Sequence, residues 1–296
     1  MGFNPAVILF PLFLLIFGGY VISRIFSLSE GPMVRVVTDF FMPLLVFHSF
    51  CTTPTSLPQI VRILGAVTLV IVLFLGVSWA YCRFFRLNFR AVAPPLLFMN
   101  SGFLGIPMMK LWGGLGAMNV IVLYDQLQTF YVFTLGIVVV TGSFSLKGLK
   151  EVVRTPLIWS IVLGLIFNLF EIPVHPTLLD GFSFAGDAAP ALAVFSIGMS
   201  LNRYRISFNI HILVGVLLRF VLGFLFGWLV SELLGLEGMV KTVVIVASSL
   251  PSAVFSAVLP IRYGVDSRFA SSVLIISTLL SIVTLPLSFY LCERIG

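Results

Sequence analysis

Two short polar stretches interrupt apolar segments of the chain and supply most of the side chains that could bind a ligand. The first, in the segment from about 91 to 112, contains Asn100, Ser101, Gly102, Gly105 and Pro107. The second, in the segment from 238 to 263, contains Ser248, Ser249, Pro251 and Ser252. Proline breaks helical hydrogen bonding, and the bilayer core has no water to replace the lost bonds. Each stretch is therefore predicted to line a cavity or to pack inside protein.

The chemistry expected at these breaks is the binding of a small organic anion. If the two segments cross the membrane in opposite directions, their second halves begin near mid-membrane with free N–H groups that point at one region. A helix N-terminus carries about half a positive charge and favours carboxylate or phosphate. Asparagine and serine hydroxyl or amide groups can bind a ligand there, and Gly102 and Gly105 allow close approach. One break alone could be only a kink in a packed helix, whereas two corresponding breaks favour a site.

Three carboxylates inside apolar segments could support the site or carry a coupling proton. Asp125 shares a polar stripe with Gln128, and both a wall of the site and a hydrogen-bonded helix interface fit that stripe. Asp39 and Asp187 each precede a proline by three or four residues, at mirrored depths. Sodium held by the serine-rich segment 268–292 and by unwound backbone carbonyls is a second form of coupling, and passive uniport needs neither ion. No cofactor or metal is expected, since the three cysteines lack metal-ligand spacing.

The composition sets the fold class. Of the 296 residues, 59% are hydrophobic and 9% are charged, with a mean hydropathy of +1.16, which is far outside the range of soluble proteins. About 20 apolar residues cross a bilayer as a helix. The ten predicted spans are 5–26, 33–51, 61–82, 91–112, 115–141, 156–172, 182–201, 209–234, 239–263 and 268–292. We expect an all-α polytopic membrane protein with a single transmembrane domain over residues 1–296.

The two halves of the chain correspond to each other. Residues 277–285 match residues 127–135 in position, and the two breaks are separated by a similar distance. Because each half contains an odd number of spans, the halves must have inverted topology. The sequence therefore predicts two inverted five-helix repeats, at about 1–141 and 156–296, joined by a linker at about 142–155, with broken helices 4 and 9 crossing.

The charge of the chain indicates its orientation rather than a nucleic-acid partner. The net charge is +6, but the basic residues are spread over short loops instead of one face. Most of the 17 lysines and arginines lie on one side if the N-terminus is outside, so the positive-inside rule places both termini outside. Arg219 lies within a span, where we expect it to snorkel to the interface or to pair with Asp39 rather than to contact the substrate.

Several motifs together resemble the auxin efflux carrier family in its bacterial branch, and they cover nearly the whole chain in order. They are 100–107, the run from Thr155 to Asn168, the run from Ala188 to Leu201, Leu250 to Val254, and Tyr263 to Asp266. The resemblance implies a scaffold and a transport unit, with crossed helices 4 and 9 around an organic-anion site. It also implies the inverted-repeat architecture of bile acid sodium symporters and sodium/proton antiporters.

The resemblance implies a substrate class as well. Members of the family move indole-acetic acid in plants and are usually assigned to dicarboxylates such as malate or malonate in bacteria. The Asn-Pro-Asn pattern of the plant members is absent from helix 4 here, and their long central loop shrinks to residues 142–155. Auxin-like and malate- or malonate-like anions both stay open.

The resulting expectation is a secondary transporter that works by alternating access in the bacterial inner membrane. A membrane sensor or binding scaffold without transport turnover is the alternative, which stoichiometric binding without flux would favour. An enzyme is not expected, because the chain has no His-Glu-x-x-His, Gly-x-Ser-x-Gly or P-loop motif. The expected partners are the anion and the lipid bilayer, with no nucleic acid, and a homodimer could form.

Overall fold

The helices of the protein follow the apolar segments of the sequence. A computed structural model describes residues 5–54, 56–143, 150, 153–202 and 206–295, so most of the predicted linker at 142–155 lies outside the described residues. The helices are α1 (Pro5–Phe26), α2 (Glu30–Thr52), α3 (Leu57–Phe85), α4 (Phe89–Leu97), α5 (Ser101–Thr141), α6 (Pro156–Leu169), α7 (Pro176–Leu201), α8 (Ile210–Leu233), α9 (Gly238–Ser248), α10 (Val254–Arg262) and α11 (Arg268–Ile295).

The expectation of an all-helical fold is confirmed for the described residues, and their apolar helices are consistent with a polytopic membrane protein. Within the described residues, seven helices are long and apolar enough to cross a membrane, namely α1, α2, α3, α5, α7, α8 and α11. The remaining helices are shorter. Two pairs of short or interrupted elements, α4 with the start of α5 and α9 with α10, flank the breaks that the sequence predicts.

Three of the long helices are irregular at defined points. α5 leaves helical geometry at Gly113 and Gly114, where Gly114 has a φ of 66° that L side chains rarely adopt. This interruption falls between the predicted spans 91–112 and 115–141. α2 contains a π-helical turn at Val37–Phe41, and α7 is interrupted at Asp187. Such local irregularities are frequent at functional positions.

The helices pack as two groups. The first group contains α1, α2, α6 and α7, in which α1 packs along α7 and α2 packs against α6 and α7. The second group contains α3, α4, α5, α8, α9, α10 and α11, which surround the two breaks. α5 supplies most of the contacts between the groups, because it touches α1, α2 and α7. The breaks therefore lie inside the second group and close to its boundary with the first.

Two glycines allow α1 and α7 to pack backbone against backbone. A Cβ atom on Gly19 would overlap the carbonyl oxygen of Phe195, and a Cβ atom on Gly198 would overlap that of Ile16. Lipid is as apolar as the side chains, so membrane helices associate through close packing of small residues. The crossing of these two helices consequently depends on the absence of side chains at Gly19 and Gly198.

The substitution Gly19→Ala should destabilise the protein by about 1–3 kcal/mol, because the added methyl group forces the two backbones apart. Gly18→Ala is the matched control, since its Cβ would lie at an ordinary 3.7 Å from the Phe195 ring. Thermal unfolding of the purified protein in detergent measures the difference. Equal stability of the two variants would show that the helices are not in backbone contact.

Candidate functional site

The two breaks meet each other. Met99 and Ser252 form an isolated antiparallel β-bridge between the extended segments that interrupt the helices. Asn100 N–H donates to the Pro251 carbonyl at 2.8 Å, and a second backbone bond of 2.9 Å closes the other side of the bridge. Backbone groups that leave a helix in a membrane need such internal partners. The unwound segments thus satisfy each other.

Side chains from α5 and α11 complete the hydrogen bonding of the bridge. Met99 N–H donates to Gln128 Oε1 at 3.1 Å, and Gln128 Nε2 donates back to the Met99 carbonyl at 2.6 Å. On the other strand, Ser252 N–H donates to Ser277 Oγ at 3.1 Å. The polar stripe of α5 is therefore a hydrogen-bonded interface at Gln128, and Ser277 has the corresponding position beside the second break.

Asp125 faces the first turn of α5. Its carboxylate accepts hydrogen bonds from Ser101 Oγ at 2.7 Å and from Gln126 Nε2 at 3.1 Å. A Cβ atom on Gly102 would lie only 3.0 Å from the same carboxylate. Asp125 is 9% exposed, and the ion pairs among the described residues do not include it. The protein's own carboxylate thus lies at the positive end of this helix, where the sequence led us to expect a substrate anion.

Asn100 stands at the break with an unused donor. The residue is 3% exposed, and its Nδ2 has no hydrogen-bond partner within the described structure. A buried amide donor without a partner is unfavourable by roughly 1–3 kcal/mol. The Asn100 amide is accordingly a position at which a ligand could complete the hydrogen bonding.

The serines of the second break use their hydroxyl groups locally. Ser248 Oγ donates to a carbonyl one turn back in α9 at 2.8 Å, and Ser249 Oγ does the same at 2.6 Å. Ser248 Oγ also lies 3.0 Å from the hydroxyl of Tyr124. Ser252 Oγ shares a hydrogen bond of 2.8 Å with Ser256 Oγ at the start of α10. These hydroxyl groups stabilise the crossing, and each of them already forms a hydrogen bond with another group of the protein.

Most of the sequence-predicted site residues come together at the crossing, where they are buried or half-buried. They are Asn100, Ser101, Gly102, Gly105, Pro107, Ser248, Ser249, Pro251, Ser252, Asp125 and Gln128. The structure places Asp39 and Asp187 elsewhere, on exposed faces of α2 and α7. Asp187 forms an ion pair of 2.6 Å with Lys110, and Asp39 accepts a hydrogen bond from Thr38.

A small cavity lies beside the starts of both second-half helices. Its volume is about 120 Å³, and it is lined from the first turn of α5 by Phe103 and from the start of α10 by Val254 and Phe255. Ser200 from α7 and Glu30 from the start of α2 also line it. The cavity therefore sits between the two helix groups, and its mostly apolar wall includes side chains from the first turns of α5 and α10.

Arg219 is the functional residue that the sequence did not place correctly. It is fully buried, and its guanidinium donates to the carbonyl oxygens of Leu250 at 3.1 Å, of Leu96 at 3.4 Å and of Ser248. The carbonyl ends of α4 and α9 carry partial negative charge, which the guanidinium neutralises. The expectations of snorkelling and of pairing with Asp39 are both wrong. One feature of the sequence could have indicated this role. Arg219 lies deep in a span, and no residue near it in the sequence offers a carboxylate.

Comparison with known proteins supports a transport role. Residues 140–289, about half of the chain, match the family model described as membrane transport protein. The chain belongs to this family. It is 29% identical over 307 residues to an uncharacterized transporter of Methanothermobacter thermautotrophicus, with 97% of both chains covered. It is also 26% identical to the uncharacterized transporter MJ1031 of Methanocaldococcus jannaschii and 23% identical to the uncharacterized transporter YfdV of Escherichia coli K12, again over 96–98% of the lengths.

The family membership confirms two expectations from the sequence. The resemblance to the auxin efflux carrier family is confirmed, and this membrane transport protein is not an enzyme. Its relatives match along their whole lengths, so both breaks and the carboxylates lie within the shared region.

Replacing Arg219 with methionine should lower the stability of the protein by about 3 kcal/mol or more, because three buried carbonyl groups would lose a charged donor. Arg219→Lys should be intermediate, since an ammonium group cannot reach all three oxygens in a fixed fork. Arg62→Met is the control, as Arg62 is exposed and makes one backbone contact of 3.4 Å. Thermal unfolding in detergent gives the comparison, and an unchanged melting temperature for Arg219→Met would refute the capping role.

Proposed function

We propose that this protein is a secondary transporter that carries a small organic anion, a mono- or dicarboxylate, across the bacterial cytoplasmic membrane by alternating access. The observation that carries the proposal is the crossing of the two breaks, which brings the N-termini of α5 and α10 to one cavity. Unpaired N–H groups at helix starts are donors for carboxylate oxygens. Malate- or malonate-like and auxin-like anions both suit this chemistry.

The start of α10 and the amide of Asn100 are the proposed anchors of the substrate carboxylate. The start of α5 already faces Asp125, whereas the side-chain hydrogen bonds at the start of α10 involve the hydroxyls of Ser252 and Ser256. An anion would therefore find less repulsion at α10. The unpartnered Nδ2 of Asn100 supplies a further donor beside the same break.

The proposed architecture has ten spans in two inverted five-helix repeats. In it, α4 with the first part of α5 forms broken helix 4, and α9 with α10 forms broken helix 9. The matching hydrogen bonds of Met99 with Gln128 and of Ser252 with Ser277 support the repeat relation. The group of α1, α2, α6 and α7 would be the scaffold, and the other group would move past it with both termini outside. A homodimer stays a prediction.

Asp125 is the proposed coupling group among the three carboxylates. It alone is buried and lies at a helix start that an anion would use, while Asp39 and Asp187 are exposed. A proton bound to the Asp125 carboxylate would remove the negative charge that opposes an anion at the start of α5. Proton and anion would then move together. Sodium coupling through the hydroxyls of α11 is the competing proposal.

Asn100→Leu should weaken substrate binding about tenfold without destabilising the protein, because the amide donor has no protein partner to lose. Stabilisation of the purified protein by added malonate, malate or indole-acetate measures binding, and uptake of the labelled anion into proteoliposomes measures transport. Gln128→Leu is the contrasting variant, which should destabilise the crossing even without ligand. Undiminished binding by Asn100→Leu would contradict the proposed anchor, and binding without any flux would favour the sensor alternative.

Asp125→Asn should abolish the stimulation of uptake by an inward proton gradient while leaving anion exchange between equal pH values. The amide cannot take up and release the coupling proton, yet it keeps a hydrogen-bond acceptor for Ser101. Asp180→Asn, on the exposed surface of α7, is the control. Uptake measured with and without a pH gradient, in sodium and in potassium, decides the question. A proton stimulation that survives in Asp125→Asn would remove Asp125 from the coupling, and a strict need for sodium would replace the proton.

A further inference from the structure

Among the ion pairs of the described residues, that of Lys110 with Asp187 joins the two helix groups. Lys110 Nζ, from the first part of α5, lies 2.6 Å from Asp187 Oδ1 at the interruption of α7. The Lys110 side chain is 22% exposed and that of Asp187 is 60% exposed. In the proposed orientation this pair lies on the outer side, whereas the cavity reaches toward Glu30 at the start of α2 on the inner side. The ion pair thus closes the boundary between the two helix groups on the outer side, while the cavity lies at that boundary on the inner side.

The acidic partner is fixed by the scaffold. Gly186 packs so closely on α2 that an added Cβ would lie 2.6 Å from the Cα of Leu45. His48 of α2 and Asp180 of α7 are the other titratable groups near the pair. Lys110 belongs to the group proposed to move, shortly before the interruption at Gly113. Movement of that group past the scaffold must therefore break the Lys110–Asp187 pair.

Each residue of this pair has a counterpart in the opposite repeat, namely Asp39 for Asp187 and Arg262 for Lys110. Asp39 lies in the π-helical turn of α2, as Asp187 lies at the interruption of α7, and each precedes a proline. Arg262 is the last residue of α10. In the sequence it follows Ser252 by nearly the same number of residues as Lys110 follows Met99, its bridge partner. In this structure Asp39 is exposed and accepts a hydrogen bond of 3.0 Å from Thr38 Oγ1.

We propose that Lys110–Asp187 and Arg262–Asp39 are alternating gates, an inference that rests on the alternating access proposed above. The first pair is formed in the conformation described here, which we assign as inward-open because its cavity reaches the inner end of α2. When the moving group shifts outward, Lys110 leaves Asp187, and Arg262 comes level with Asp39 on the inner side. The freed Lys110 is then a cation at the outer entrance, where it attracts an incoming anion. These four side chains position the transport unit rather than bind the substrate in its site.

Cysteine labelling tests the gates without any substrate. Val34→Cys, in a chain whose Cys51, Cys82 and Cys292 are replaced by serine, puts one half-buried thiol on the wall of the inner cavity. The rate of its reaction with a membrane-impermeant maleimide from the inner side, in inside-out vesicles, reports the inward-open population. A partly exposed ion pair is worth little, so its loss should shift that population about two- to fivefold.

The two gates predict opposite effects. Asp187→Asn should slow the labelling two- to fivefold, because it removes a contact that only the inward-open state makes, and Asp39→Asn should leave it equal or faster. Lys110→Asp should slow it as well, and the double variant Lys110→Asp with Asp187→Lys should restore the rate. Thermal unfolding of each variant controls for loss of folding.

The outcomes separate this proposal from the proposed function. Unchanged labelling in Asp187→Asn, slowing by both asparagine variants, or no rescue by the charge swap would overturn the gates. If labelling behaves as expected and no carboxylate is transported, the gates stand and the assigned substrate class falls. If carboxylates are transported and labelling fails, the transport proposal stands and the gates fall.

Discussion

The rest of the structure depends on the backbone pairing of two unwound segments in the middle of the protein. In a bilayer each open N–H or C=O group needs a protein partner, so a break in one helix alone leaves groups unsatisfied. The bridge between Met99 and Ser252 removes this penalty for both breaks at once. Gln128 and Ser277 then complete the hydrogen bonds that the bridge leaves open. Two irregular segments are stable here because they meet.

The crossing also sorts partial charges into two regions. The carbonyl ends of α4 and α9 share one buried cation, Arg219, which donates to both. The N–H ends of α5 and α10 lie beside the cavity, and one of them faces Asp125. The negative carbonyl ends are therefore both neutralised by Arg219. Of the two positive N–H ends, only that of α5 faces a carboxylate of the protein. This asymmetry is the basis of the proposal that the start of α10 binds a carboxylate and that Asp125 binds the coupling proton.

The sequence predicted those features that follow directly from the residue types within an apolar segment. Proline and small polar residues inside apolar segments predicted both breaks, whereas the polar stripe of α5 left open whether Asp125 and Gln128 line the site or hold a helix interface. Arg219 was misassigned because its partners are backbone carbonyls, which leave no mark on sequence. Ser248 stays a predicted ligand contact, and its hydroxyl donates to the carbonyl one turn back, as a helical serine often does. The contact of Lys110 with Asp187 could not be foreseen, since it depends on how two helix groups dock.

A disulfide cross-link tests the crossing most directly. Met99 and Ser252 are a non-hydrogen-bonded pair of an antiparallel bridge, in which Cα atoms are about 4.5 Å apart, and this spacing suits a disulfide. In a chain with the three native cysteines replaced, Met99→Cys with Ser252→Cys should cross-link nearly completely on mild oxidation of folded protein in membranes. Mass spectrometry of the joined peptides identifies the bond, and Met99→Cys with Ser288→Cys, near the far end of α11, is the control pair. A folded double variant that stays reduced under these conditions would contradict the contact between the two breaks. The anion site proposed at the crossing would then fall as well.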